Sequence, residues 1–243
     1  MRITRLHHPV QLTCGKTTYL STEASSHLIR VLRTKTNSDL VLFNGDGFDY
    51  RCKTLDENPK KTSVIIESRY QLTNESDLHI TLIQGLSRQD RMETTIQKSV
   101  ELGVNKIIPV ICQRSQRRLA KDRKIKKLTH WKKVAISACE QSGRSIVPEI
   151  TAIHSLENLT PQLDADAQKI YLNPLANSSL DDIDHTRKNI ELFIGPEGGL
   201  HESENRFLQD KHFIDIRFGP RILRTETAGP AVICALQVLR GDI

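Results

Sequence analysis

From residue 78 onward, apolar runs of strand length alternate with segments of helical period. "LHITLIQGL" (78–86), "KIIPVIC" (106–112), "QKIYLNP" (168–174), "NIELFIG" (189–195) and "HFIDIRFG" (212–219) predict strands. "RMETTIQKSVELGV" (91–104), "KIKKLTHWKKVAISACEQSG" (124–143) and "TAGPAVICALQVL" (227–239) predict helices, and "HESENRFLQD" (201–210) predicts the opening turns of another. Pro230 fits the last helix only in its first turn. Such alternation implies a mostly parallel α/β sheet covered on both faces.

The preceding chain has a different pattern. "DLVLFNGDGFDYRCKTL" (39–55) is two apolar-containing runs around Asn44-Gly45-Asp46-Gly47, a strong hairpin signal. "TSVIIES" (62–68) supplies another strand, and only "TEASSHLIRVLR" (22–33) reads as helix, with Ala24, Leu28, Val31 and Leu32 on one side. This is the pattern of a small barrel-like β module. The polar stretch "QLTNESD" (71–77) marks the change, so the expected domains are 1–72 and 73–243.

With 37% hydrophobic residues the chain has an ordinary globular composition, and no apolar run approaches the length of a bilayer span. Its start, "MRITRLHHPVQL", lacks a signal-peptide core, so a cytoplasmic location is expected. Five scattered cysteines without a CxxC pair argue against a zinc site or disulfide framework, and no metal is expected. The net charge is +6, yet Arg114 to Lys133 alone holds ten Lys/Arg against Asp122. That density suits a phosphate-contacting surface as well as a solvated helix face.

Three strand ends carry unusual loops: "LNP" (172–174), "GPEGGL" (195–200) and "GPRILRTETA" (219–228). Ligands of open α/β sheets bind beyond the carboxyl ends of strands, so one pocket built from all three is expected. The glycine loop is not GxGxxG, and Glu197 inside it is electrostatically wrong for a pyrophosphate. It suits either backbone contact with an adenosine or a tight turn with positive φ at Gly198 or Gly199. In the third loop Arg221, Arg224, Thr225, Glu226 and Thr227 precede or open a helix, whose first N–H groups are free donors. Capping by Thr225 or Thr227 explains part of this, but not two arginines beside an Ile222-Leu223 pair expected to be buried.

"HLIRVLR" (27–33), "RMETTIQKSVELGV", "WKKVAISACEQSGR" (131–144), "FIGPEGGL" (193–200) and "GPRILRTETA" together resemble the bacterial ribosomal RNA small subunit methyltransferase E family. Members methylate N3 of a uridine in 16S rRNA with S-adenosylmethionine, and the resemblance spans the whole chain. It implies an N-terminal PUA-like RNA-binding barrel, a C-terminal SPOUT domain with a trefoil knot, and a homodimer. The partner it implies is 16S rRNA or the small ribosomal subunit. Donor contacts are implied at Leu172, Asn173, Pro174, Ile194, Gly195, Glu197, Gly198, Gly199, Leu200, Phe218, Gly219, Ile222, Leu223, Arg224 and Thr225. One departure is Gly229-Pro230, which interrupts an otherwise smooth helix start.

For catalysis, Arg224 is expected to stabilise charge developing on the uracil carbonyls, and Glu226 to accept the N3 proton. Glu197 is either an alternative base or a brace for its loop. RNA contacts are expected from Arg2, Arg5, His27, Arg30, Arg33, Arg114, Arg117 and Arg118. The competing readings are a non-catalytic rRNA-binding assembly factor, a SPOUT enzyme acting on a ribose 2′-OH and, on loop evidence least favoured, a nucleotide-cofactor oxidoreductase.

Overall fold

A computed structural model describes residues 3–115 and 120–243. Arg2, Arg117 and Arg118 therefore lie outside the described residues. The chain forms two compact units, one of residues 1–74 with 139–147, the other of 75–138 with 148–243.

The first unit holds β1 (Thr4–His7), β2 (Thr17–Tyr19), α1 (Thr22–Ser26), β3 (Asp39–Phe43), β4 (Phe48–Thr54) and β5 (Ser63–Gln71). They form one sheet in the order β1-β3-β4-β5-β2, antiparallel except for β1 beside β3. The expected hairpin joins β3 to β4, with Gly45 at φ +95° and Gly47 at φ +85°, values that side chains disfavour. Asp46 fixes this turn by accepting the Phe48 N–H at 3.0 Å and the Tyr50 hydroxyl at 2.7 Å. A register shift between Arg51 and Cys52 bends β4, and the curled sheet closes over Leu6, Leu28, Leu40, Leu42, Tyr50 and Val64.

Two expectations fail in this unit. The helix of 22–33 is α-helical only to Ser26 and continues as a π-helical turn, His27–Val31. The wider turn keeps Leu28 buried but rotates Val31 out to 66% exposure. Arg33 lies past the turn at φ +54°, so it does not share a helix face with His27 and Arg30. Arg5 is not available to phosphate. Its side chain is 11% exposed and ion-paired with Asp49, itself 1% exposed. It also donates to the Arg144 carbonyl at 3.1 Å and stacks over Phe43, while the Ser145 hydroxyl donates to the second Asp49 oxygen.

The second unit contains β6 (His79–Gly85), α2 (Gln89–Glu101), β7 (Lys106–Ile111), β8 (Glu149–Ile150), β9 (His154–Ser155), β10 (Gln168–Leu172), β11 (Asn189–Ile194), α4 (Glu202–Asp210), β12 (Ile214–Ile216) and α5 (Thr225–Arg240). The long helix α3 (Lys121–Ser142) runs between β7 and β8 in the chain. The sheet order is β12-β10-β11-β6-β7-β8, with β9 also beside β7, and every pairing is parallel. The expected α/β class is what forms: a mostly parallel sheet domain with a smaller β module. Central β6 is buried on both faces after His79, as parallel strands under helices are.

Helix α5 starts at Thr225, so Pro230 sits beyond the first turn, contrary to expectation. Proline there leaves the Glu226 carbonyl without its usual intrahelical donor. A Cβ at Gly229 would meet Leu82 at 3.5 Å and Ile194 at 3.6 Å, ordinary contact distances, so this part of the helix faces β6 and β11 directly. Of the cysteines, Cys52, Cys112 and Cys139 are buried. Burial pushes the Cys52 and Cys112 thiols up to about 12, which leaves them as unreactive packing residues. Among the described residues no helix is long and apolar enough to cross a membrane.

Candidate active site at the carboxyl edge of the parallel sheet

Strands β12, β10 and β11 are neighbours, with Leu172 opposite Ile216 and Tyr171 opposite Phe193. Their loops therefore leave the sheet at one edge, where they surround an open cleft of about 870 Å³. Residues 172–175, 194–197, 199–200 and 216–225 line it, together with Arg91, Asn205 and Ala228. Every residue implied as a donor contact is on this wall except Gly198.

Each loop is tied down by its own side chains or backbone. Asn173 donates its amide to Asp215 at 2.9 Å, and its Oδ1 accepts the Leu175 N–H at 3.0 Å. It thus turns the chain after β10 and fastens that turn to β12. In the glycine loop, the Gly199 N–H donates to the Pro196 carbonyl at 2.9 Å, and Gly199 has φ +70°. That is one of the two positions at which positive φ was expected. The loop also rests on bare backbone, since a Cβ on Gly85 would stand 2.7 Å from the Pro196 nitrogen.

Glu197 accepts the Arg88 N–H at 3.0 Å, at the residue that caps α2. It also pairs with Arg91 at 3.4 Å. In this geometry Glu197 braces the glycine loop against the start of α2. The Arg91 Nε lies 3.7 Å from Glu226, so one guanidinium joins an acid of the glycine loop to one in the first turn of α5. The other Glu226 oxygen, Oε2, is buried without a hydrogen-bond partner among the described residues. A buried, unsatisfied carboxylate oxygen is costly and calls for an explanation in function. Glu226 is not itself a lining residue of the cleft, whereas Arg91 and Thr225 beside it are.

The start of α5 differs from the expected capping. Arg224 is the cap residue and makes no side-chain capping bond. Thr225 is turned inward instead, donating to the Gly195 carbonyl at 2.8 Å and accepting from the Gln84 amide at 2.9 Å. It locks the glycine loop to the helix start and to the end of β6. The Arg224 side chain is exposed on the cleft and, like those of Arg217 and Arg221, has no hydrogen bond or ion pair among the described residues. Ile222 is 84% exposed and not buried as expected, whereas Leu223 is half-buried. The apolar wall is thus Leu172, Ile194, Leu200, Ile216, Leu223 and Ala228.

Gly85, Gln84 and Arg91 escaped the sequence reading. A glycine ending an apolar strand, as in "LIQGL", is a signal of close backbone approach that would have found the first. Of the residues expected to meet RNA, His27, Arg30, Arg33 and Arg114 are exposed. The α3 cations Lys121, Arg123, Lys126, Lys132 and Lys133 are exposed as well.

Residues 74–237 match the family of RNA methyltransferase domains, and residues 20–67 match the RNA methyltransferase PUA domain. The chain is 32% identical over 241 residues to the ribosomal RNA small subunit methyltransferase E of Buchnera aphidicola, covering 99% of this chain and 95% of that one. It is 30% identical to the protein of the same name from Bacillus subtilis, over 96% of this chain and 95% of the other. The crystal structure of a ribosomal RNA small subunit methyltransferase E from Neisseria gonorrhoeae, bound to S-adenosyl methionine, is 36% identical and superposes with a TM-score of 0.93. That likeness covers 100% of both chains.

Proposed function

The chain belongs to the ribosomal RNA small subunit methyltransferase E family, and from that premise we propose that its cleft holds S-adenosylmethionine for methylation of a uridine N3 in 16S rRNA. The observation that carries the donor assignment is the wall. Apolar side chains from three loops stand among backbone at Gly195, Gly199 and Gly219, and the side chains of Arg217, Arg221 and Arg224, which have no partner among the described residues, line the cleft as well. A mostly apolar cleft of this size with a few placed polar groups is the usual form of a small-molecule site. When bound, the donor supplies a methyl group on a sulfonium, which passes to the uracil nitrogen as a neutral thioether leaves.

The chain's residues do the rest. Leu172, Ile194, Leu200 and Leu223 enclose the adenosine, and the glycine backbones meet its polar edges. Arg224, whose guanidinium has no partner among the described residues, stabilises negative charge on the uracil carbonyls as the N3 proton departs. Glu226 accepts that proton, with Arg91 holding its other oxygen. On the first unit His27, Arg30 and Arg33, and on the second unit the exposed cations of α3, are phosphate-contacting residues for RNA. A PUA-like module of residues 1–72, a knotted domain of 73–243, a cytoplasmic homodimer and the small ribosomal subunit or its 16S rRNA as substrate complete the reading.

Mass spectrometry of ribosomal RNA from cells lacking this protein tests it. One N3-methyluridine of 16S rRNA should disappear and return with the intact gene. Loss of a ribose methyl group instead, or an unaltered methylation pattern, would overturn the assignment.

A further inference from the structure

Arg114 opens the basic segment, which by charge alone assigns it to RNA. The geometry points elsewhere: we propose that Arg114 is a positioning residue for the methyl donor, holding the glycine loop in the shape that meets the adenosine. This rests on the donor reading above.

Three observations carry it. The Arg114 guanidinium donates to the Gly198 carbonyl at 3.2 Å. The two residues are also in backbone contact, since a Cβ on Gly198 would lie 2.9 Å from the Arg114 Cβ and 3.3 Å from its carbonyl oxygen. This explains why glycine stands at a position that does not line the cleft. Finally, the root of Arg114 is stitched in place. The Gln113 N–H donates to Glu204 at 2.8 Å, its amide donates to Ser203 at 2.9 Å, and the Cys112 N–H donates to Ser115 at 3.0 Å.

The turn of 196–199 is therefore gripped from both flanks. Glu197 is held by Arg88 and Arg91 on one side, and Gly198 by Arg114 on the other. A guanidinium fixed on a loop carbonyl acts on the donor through the loop and does not touch the reacting atoms. Preorganising a loop in its bound form raises affinity by lowering the cost of ordering it.

The test is calorimetric titration of the full chain with S-adenosylmethionine, beside 16S rRNA binding over a salt series, for wild type, Arg114→Ala and Arg114→Lys. Arg114→Ala should weaken donor binding about tenfold, as loss of a charge-assisted hydrogen bond does. Turnover at saturating donor should stay within about twofold, because the loop is then filled by mass action. Lysine still donates to a carbonyl and should restore part of the affinity. The affinity for RNA and its salt slope should not move.

Unchanged donor affinity in Arg114→Ala overturns the proposal, as does a turnover defect without a binding defect. A salt slope smaller by about one overturns it too, since that marks a lost phosphate contact. If the alanine variant melts early, the lysine variant decides on the same terms. The donor reading fails separately, if the wild type takes up no S-adenosylmethionine or if Leu223→Asp binds it as tightly as wild type.

Discussion

Glu191 and Ile194 stand three positions apart on β11, at opposite edges of one sheet. At the carboxyl edge, Ile194 leads into the glycine loop and a cleft of about 870 Å³. At the amino edge, Glu191 borders a recess of about 110 Å³ with His79, Lys106, Asp164 and Asn189. Glu191 is only 2% exposed. One of its oxygens accepts the Asp164 N–H at 2.8 Å, and the other is buried without a partner among the described residues. The strands are the same at both edges, so capacity for a ligand comes from the connections between them. Glycines that let loops lie on bare backbone open one edge, while at the other the Asp164 backbone is drawn onto Glu191 by a direct hydrogen bond.

The largest expected effect at the open edge belongs to Arg224. Arg224→Ala should slow methyl transfer to 16S rRNA by about a hundredfold or more while S-adenosylmethionine affinity stays within about threefold. A loss carried mainly by donor binding would move Arg224 from the chemistry to the cleft wall. A middle effect is expected one layer beneath. Gly85→Val pushes a side chain into Pro196, and overpacking of this kind costs about 1–3 kcal/mol. Thermal unfolding should shift down, and donor affinity should fall with it. Intact donor affinity would show that the loop does not need its seat on Gly85.

The smallest effect lies at the closed edge. Burial pushes the Glu191 carboxyl above its usual value of 4.5. A raised folded-state value means stability that is fully present below that usual value and is lost as pH rises through the folded one. Glu191→Gln escapes this loss, so its melting temperature relative to wild type should climb as pH rises from acid to neutral. Its donor affinity should equal that of wild type. A pH-independent difference would mean that Glu191 does not titrate in this range.

Much of this contrast was legible in the chain. Periodicity located β6, β7, β10 and β11, because parallel strands under helices are continuous apolar runs. The rule that ligands sit beyond strand ends then gathered three loops that are far apart in sequence. What was hidden was pairing. Nothing local to Arg91 says that it meets Glu197 and Glu226, and nothing local to Arg5 distinguishes it from an exposed arginine. Ile222 and Val31 were misplaced for a related reason: hydrophobicity gives a residue's preference, whereas the course of a π-helical turn or a loop decides its direction.

The buried charge pair of Arg5 and Asp49 carries a consequence for descent. It is completed by Ser145, 96 positions after Asp49, and by the carbonyl of Arg144. A crossover between relatives at residue 74 would pass on the two charges and leave behind the groups that satisfy them. The β module is thus not a heritable cassette. Arg5, Asp49 and the "SGRS" stretch form one unit of inheritance written in two places, and their histories of change should run together.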